Sequence, residues 1–180
     1  MAVINVLKMG DPCLAIKSKP VVDFKSDELQ MNVADMIDTM RYYQGVGLAA
    51  PQIGLSQQII VLEVADNGRY PQAQAIKLDI LINPEILQFS EQEEAAWEGC
   101  LSLPGMRGRI TRAASITYQA RNLAGEQVKQ TVYGFHARII QHEIDHLNGI
   151  LYPQRLNDLA EFGFEESLPA FQQTNSSDTN

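Results

Sequence analysis

The segment from Phe135 to Asn148, F-H-A-R-I-I-Q-H-E-I-D-H-L-N, limits the fold more than any other stretch of the chain. Its length, the Gly149 stop and Pro153 beyond predict a helix. Ile140, Ile144 and Leu147 cover one side, while Phe135 and Ile139 share the other side with His142 and His146. A helix apolar on both sides is buried, so the rest of the chain must wrap it. His142 and His146 are four residues apart, which puts them about 40° apart round the helix axis and lets both imidazoles reach one metal ion. Glu143 adjoins them, where it can deprotonate a metal-bound water without being a ligand. Two histidines four apart are commonly solvated or structural. Inside a buried helix they and the carboxylate are costly unless coordinated or paired, which favours a metal centre.

Leu29, Val33, Met36, Ile37 and Met40 recur at helical spacing and predict a helix over 27–43. Ser26 is its cap, Asp27 and Glu28 suit its positive end, and Gly45 is its stop. The following G-V-G-L-A-A-P-Q, at 45–52, predicts a loop or extended segment because a helix cannot run through Pro51. Strands are predicted from Gln57 to Val64, closed by the turn D-N-G at 66–68, and from Lys77 to Asn83, ending at Pro84. Ile110 to Gln119 and Gln127 to Tyr133 flank N-L-A-G at 122–125 as an antiparallel hairpin. Helix, strands, then helix, without regular βαβ alternation, predict an α+β fold in which antiparallel β-sheets pack around a central buried helix. One catalytic domain over 1–171 fits the 180-residue length. The last nine residues, 172–180, are too polar to bury and predict a disordered tail.

Asp and Glu number 22 against 14 Lys and Arg, a net charge of −8 that opposes nonspecific attraction to phosphate backbones and anionic lipid. From Leu156 onward the chain holds Asp158, Glu161, Glu165, Glu166 and Asp178 with no Lys or Arg. Glu91, Glu93 and Glu94 read as a solvated face. No apolar run reaches the roughly 18 residues of a membrane span, and no export signal is visible. Cys13 and Cys100 are the only cysteines, too few for a disulfide framework, so a reducing compartment is expected. Cys13 reads as a small buried hydrophobe.

A catalytic zinc-type site needs a third protein ligand and leaves a fourth position open. Six residues after His146, where a metzincin pattern has its third His, stands Tyr152. Glu165 or Glu166 has the spacing of a thermolysin-like third ligand. Cys100, in W-E-G-C-L-S-L-P-G, is the remaining soft ligand, and Gly99 beside it permits close backbone approach. A purely structural site would need a fourth protein ligand, yet no second Cys lies near Cys100 and His136 is on the wrong helix face. The residues alone leave the third ligand open.

Three separated motifs, G-V-G-L-A-A-P-Q at 45–52, E-G-C-L-S at 98–102 and Q-H-E-I-D-H-L-N-G at 141–149, resemble those of the bacterial peptide deformylases. G-D-P-C-L at 10–14 resembles that family's N-terminal region, so the likeness spans roughly residues 1–155. The resemblance implies that Cys100, His142 and His146 hold one divalent ion, physiologically Fe2+ and replaceable by Zn2+, Ni2+ or Co2+. It implies Glu143 as general acid/base, with the Gln52 amide and the Leu101 backbone N–H as oxyanion donors. Substrate contacts are expected at Val46, Gly47, Glu98, Gly99, Arg107, Phe135 and Ile139; Val46, Phe135 and Ile139 suit a methionine side chain. The implied reaction is hydrolysis of the N-formyl group of N-formylmethionine on nascent peptides, releasing formate. A cytoplasmic monomer is expected, meeting the ribosome transiently, with no membrane and no sequence-specific nucleic acid. Asp145 is expected either to support a histidine or to pair with Arg107 or Arg112, and His136 to be structural.

Overall fold

The structure, a computed structural model, describes residues 2–64 and 75–169. The chain runs α1 (Asp27–Tyr42), β1 (Gly47–Ala49), β2 (Ile59–Val64), β3 (Ile76–Phe89), β4 (Glu93–Cys100) and β5 (Leu103–Ala113). It continues through β6 (Ser115–Arg121), β7 (Gln127–Tyr133), α2 (Gly134–Leu147) and β8 (Phe162–Phe164), with short 3-10 turns between. One sheet has the order β1-β2-β3-β6-β7 and a second the order β4-β5-β8; the neighbouring strands of both pair antiparallel. The fold is therefore mixed α and β, with antiparallel sheets and, among the described residues, two α-helices. The turn expected at 66–68 and the tail expected at 172–180 lie outside the described residues. No helix among those described is long and apolar enough to cross a membrane.

The apolar run Ile59–Leu62 of β2 follows from burial on both faces. Ile60, Leu62 and Val64 face a core shared with Ala137, Ile139, Ile140 and Leu147 of α2. Ile59 and Val61 alternate to the other face, where Leu29, Val33, Met36 and Met40 of α1 cover them. Each such side chain contributes about 1.5–3 kcal/mol on burial, so the two stripes clamp the large sheet between the helices. A third cluster, around Leu14, Leu103, Ile110, Leu151 and Tyr152, lies against the small sheet. α2 packs on strands of both sheets, β1, β2 and β7 of the large one and β5 of the small one.

Ser26 caps α1 as expected, its Oγ accepting from the Leu29 N–H at 3.2 Å. The helix ends at Tyr42, one residue short of the expected 43, and Gln44 rather than Gly45 takes the left-handed turn, at φ 54°, while the Gly45 N–H closes on the Met40 carbonyl. The β6–β7 hairpin forms as predicted, with Arg121 opposite Gln127. The Asn122 side chain accepts from the Ala124 and Glu126 N–H groups in its turn.

Three expectations change, and the acidic stretch acquires partners. The predicted strand over 110–119 is two strands in different sheets, meeting at Ala114. There the Ala114 N–H donates to the Gln92 carbonyl, and the Ala114 carbonyl accepts from Gly134, so the corner leaves its backbone groups paired. Nothing in the local β-propensity of T-R-A-A-S-I-T marks that corner. The strand expected to end at Pro84 continues to Phe89, its register shifting between Ile82 and Glu85 to accommodate a residue without an N–H. Cys13 is exposed, on the 3-10 turn capped by Asp11. The acidic stretch after Leu156 is partly docked: β8 pairs with β5, Glu161 meets Arg109 at 2.7 Å, and Glu165 meets Arg107 at 2.9 Å.

Asn83 holds the β3 irregularity. At φ 51° it occupies the left-handed region, while its side-chain oxygen accepts from the Val21 N–H and its amide donates to the Val21 carbonyl, both at 2.8 Å. Asn83→Ala loses both bonds and adds left-handed strain, an expected loss of about 2–4 kcal/mol. Asn83→Gly relieves the strain alone and should recover about a third of it, as read from denaturant unfolding midpoints. Equal midpoints for wild type and Asn83→Ala would contradict this account.

Candidate functional site

His142 and His146 lie one turn apart on α2, both buried, with ring centroids 5.1 Å apart. β4 delivers Cys100 to them at its last residue, where its register with β5 shifts after Glu98. The Cys100 Sγ is 3.2 Å from His146 Nε2, and the ligand atoms of Cys100, His142 and His146 all lie within 4.8 Å of one another. A tetrahedral ion with bonds of about 2.3 Å to sulfur and 2.0 Å to nitrogen requires separations of roughly 3.3–3.5 Å. One thiolate and two imidazoles at this spacing therefore fit a single divalent ion, of the zinc or ferrous type. Glu165, the alternative third ligand, is ion-paired with Arg107 and takes no part in the cluster. Tyr152, standing where a metzincin histidine would, stacks on the His142 ring at 6.0 Å.

Behind the cluster lies a chain of buried charges. Burial alone would raise the Glu98 carboxyl, yet hydrogen bonds from His142 and Arg112 outweigh it and hold the group well below the usual carboxylate range. Its stabilisation is thus complete above the ordinary carboxyl pKa of about 4.3 and is lost as pH falls through the lowered folded value. An ionised carboxylate only accepts, so the His142 Nδ1–H donates to Glu98 Oε2 at 2.8 Å and Nε2 is left to face the thiolate. Arg112 grips both Glu98 oxygens, at 2.6 and 2.9 Å, and Arg138 adds a third donor at 2.8 Å. Arg112 also donates to Asp145 at 2.8 Å, and Asp145 in turn is held by Arg155 at 2.6 Å. Asp145 therefore pairs with Arg112 and with Arg155, a residue the sequence reading did not consider. Glu98, expected to contact substrate, lines the pocket with both oxygens engaged, and one of them orients His142.

Burial opposes ionisation of the Cys100 thiol, but the charge of His146 and hydrogen bonds from both histidines win and hold it well below its ordinary range. The ligand form, thiolate, is favoured before any ion arrives. His142 is held well above the ordinary imidazole range, its hydrogen bonds to Cys100 and Glu98 outweighing desolvation. Burial pushes the Glu143 carboxyl up, only partly offset by the two histidines. Its Oε2 is buried without a hydrogen-bond partner, a state tolerated where a polar atom awaits water or a ligand.

Gly47 is a strand residue in β1, and its bare Cα has a local cause: a Cβ there would lie 2.5 Å from Glu143 Oε1. Gln52, on the 3-10 turn after β1, is anchored by the Ala49 N–H, which donates to Oε1 at 2.8 Å. That fixes the amide so that Nε2 points at Ser102 Oγ, 3.3 Å, and Cys100 Sγ, 3.5 Å. The Leu101 carbonyl is tied to Lys8 Nζ at 2.9 Å.

Gly47, Gln52, Glu98, Cys100, His142 and Glu143 open into one pocket of about 410 Å³, lined also by Val46, Gly99, Leu101, Arg107, Phe135 and Ile139. The predicted site residues from three distant stretches thus converge. His136 stands outside the cluster, with burial pushing its imidazole down. Trp97 and Lys8 line the pocket and were not singled out as site residues, and Glu165, weighed only as a metal ligand, lines it too; Trp97, adjoining the E-G-C motif, carried the one readable signal.

The Polypeptide deformylase family profile matches residues 3–162. Peptide deformylase 1 of Nitrosomonas europaea is 51% identical over 163 residues, which cover 91% of this chain and 93% of that protein. Peptide deformylase 1 of Bordetella pertussis is 47% identical over the same shares. Among solved structures, the Met-Ala-Ser-bound class I type b peptide deformylase of Acinetobacter baumannii superposes with a TM-score of 0.83 at 40% identity, covering 86% of this chain and 99% of that one. The Thermotoga maritima peptide deformylase gives 0.79 at 39% identity, covering 88% and 100%. A likeness of this extent, carried by a chain whose donors can hold one ion beneath a pocket, makes it a member of the polypeptide deformylase family, metal-dependent hydrolases that remove the N-formyl group from nascent peptides.

Proposed function

We propose that Cys100, His142 and His146 hold a ferrous ion, replaceable by Zn2+, Ni2+ or Co2+, and that Glu143 is the general acid/base of the deformylation. The observation that carries this reading is the buried Glu143 carboxylate, one oxygen without a partner, beside a thiolate and two imidazoles. When bound, the ion lowers the pKa of its water towards about 7 and polarises the formyl oxygen. Glu143 takes the proton of that water; its burial-raised carboxyl is a stronger base than a solvated one, nearer the pH at which it works. The Gln52 amide, aimed at the sulfur, and the Leu101 N–H donate to the oxygen that gains charge as the formyl carbon is attacked. Glu143 then gives its proton to the methionyl nitrogen, the C–N bond breaks, and formate leaves.

Val46, Phe135 and Ile139 are the apolar wall for the methionine side chain. Gly47 and Gly99 let peptide backbone lie close, and Arg107 donates to carbonyls beyond the methionine. The described residues 2–64 and 75–169 act as one catalytic domain around α2. The two free thiols suit a cytoplasmic enzyme. It acts as a monomer that meets the ribosome transiently, the −8 charge arguing against tight RNA binding.

Three outcomes are expected. Cys100→Ala should lose the ion by elemental analysis and lose formate release from formyl-Met-Ala, while Glu166→Ala keeps both; the reverse pattern would mean a carboxylate-ligated site. Glu143→Gln should keep one ion per chain yet fall by at least the roughly 10²–10⁴-fold typical of a lost general acid/base. Ion loss in that variant would assign Glu143 to coordination. Arg112→Met leaves two buried carboxylates short of a partner, so about 3–5 kcal/mol of stability should go, with ion affinity weakened about 10–100-fold through His142. Unchanged affinity there would remove the charge chain from the account of the site.

A further inference from the structure

Arg107 lies across the bare backbone of Gly99, next to the ligand Cys100: a Cβ on Gly99 would sit 1.4 Å from Arg107 Nη1. Its guanidinium is therefore part of the pocket wall. On its outer edge Nη2 meets Glu165 Oε2 at 2.9 Å. Glu165 is the first residue after β8, whose Gly163 pairs with Arg107 itself. The 3-10 turn it opens is pinned by Leu168, buried and bonded back to the Phe164 carbonyl at 3.1 Å. The carboxylate is thus tethered at the pocket mouth from both sides along the chain. The family match ends at residue 162, three residues before it.

Around the pocket, Lys8, Arg107 and Arg138 face Glu98, Glu143 and Glu165, three cations against three carboxylates. Arg138 is committed to Glu98, and Lys8 donates to the Leu101 carbonyl. Arg107 is then the cation left to meet a peptide, and Glu165 occupies one edge of it. A guanidinium so engaged still has N–H groups for neutral peptide carbonyls. A second carboxylate would bring like charge against Glu165 for the same cation.

We propose that Glu165 is a specificity-determining residue, screening Arg107 so that the pocket discriminates against carboxylates in the residues that follow formyl-methionine. This rests on the reading of Arg107 as a substrate contact. The carboxylate is a chain end in a short peptide or an acidic side chain in a longer one, and the two are separable. In the iron-loaded enzyme, Glu165→Gln removes the charge at nearly constant shape, at a side chain 42% exposed. Formyl-Met-Ala-Ser is compared as free acid and as amide, and formyl-Met-Ala-Asp-amide with formyl-Met-Ala-Asn-amide. The acid-to-neutral ratio of kcat/KM should rise about three- to fivefold, the scale of a partly exposed ion pair. The rise should lie in KM and shrink in 0.5 M salt, about three times the ionic strength at which the Debye length is near 8 Å. A rise in one pair alone supports the screen and says which carboxylate it meets. Unchanged ratios in both pairs, in Glu165→Gln and in Glu165→Ala, overturn it. Arg107→Ala separates the two readings: a raised KM for the neutral peptides keeps Arg107 as a substrate contact even if the screen fails, and an unmoved KM removes the contact itself.

Discussion

Placing the Glu98 carboxylate under α2 would cost several kcal/mol for a lone buried ion, even after relaxation. What makes it tolerable is that every direction around it is occupied: the Arg112 fork, the Arg138 guanidinium and the His142 Nδ1–H. Such a cluster is weak evidence for net stability, since apolar residues of equal volume often do as well. Its value here is directional. The carboxylate sets which nitrogen of His142 carries the proton and which faces the sulfur, and Arg112 couples it to Asp145 on the same helix. Helix α2, strands β4 and β5 and the following Arg155 turn are thereby tied to one another at the point where the donors must be held within a few tenths of an ångström.

The second constraint is the burial of the large sheet on both faces. Because α1 and α2 cover opposite sides of β2, the short strand β1 is pressed against α2, and Gly47 meets the Glu143 carboxylate at a distance no side chain could occupy. The same strand leads into the turn bearing Gln52. Packing thus sets the spacing between Glu143 and Gln52, the groups proposed as base and oxyanion donor, which come from motifs about 90 residues apart in the chain.

Electrostatically the pocket is graded. At its floor, mutual charge lowers the thiol and raises His142, while Glu143, with one oxygen unpartnered, is left raised by burial. At its mouth, Arg107 and Glu165 are partly solvated and their interaction is correspondingly weaker and salt-sensitive. The chemistry proposed for the site therefore sits where charges are strong and fixed, and the proposed selectivity where they are weak and adjustable.

Much of this was legible in the chain itself. The two-sided apolar pattern of 135–148 required burial, the four-residue spacing put both histidines on one face, and the three motifs named the family. Cap, helix stripe and hairpin turn are local chemistry, readable because each depends on residues within a few positions of one another. Tertiary structure alone decided the rest. Which groups engage Glu98 depends on which side of β4 meets α2, and whether Asp145 pairs with Arg107, Arg112 or Arg155 depends on how α2, β5 and the turn bearing Arg155 converge. The corner at Ala114 and the passage of β3 through Pro84 are set by partner strands, not by propensity. Glu165 acquired a partner only because β8 docks on β5. Sequence specifies side-chain chemistry and short-range geometry; contacts between distant segments exist only once loop closure has been offset by burial, and the roles of buried charges are defined by those contacts.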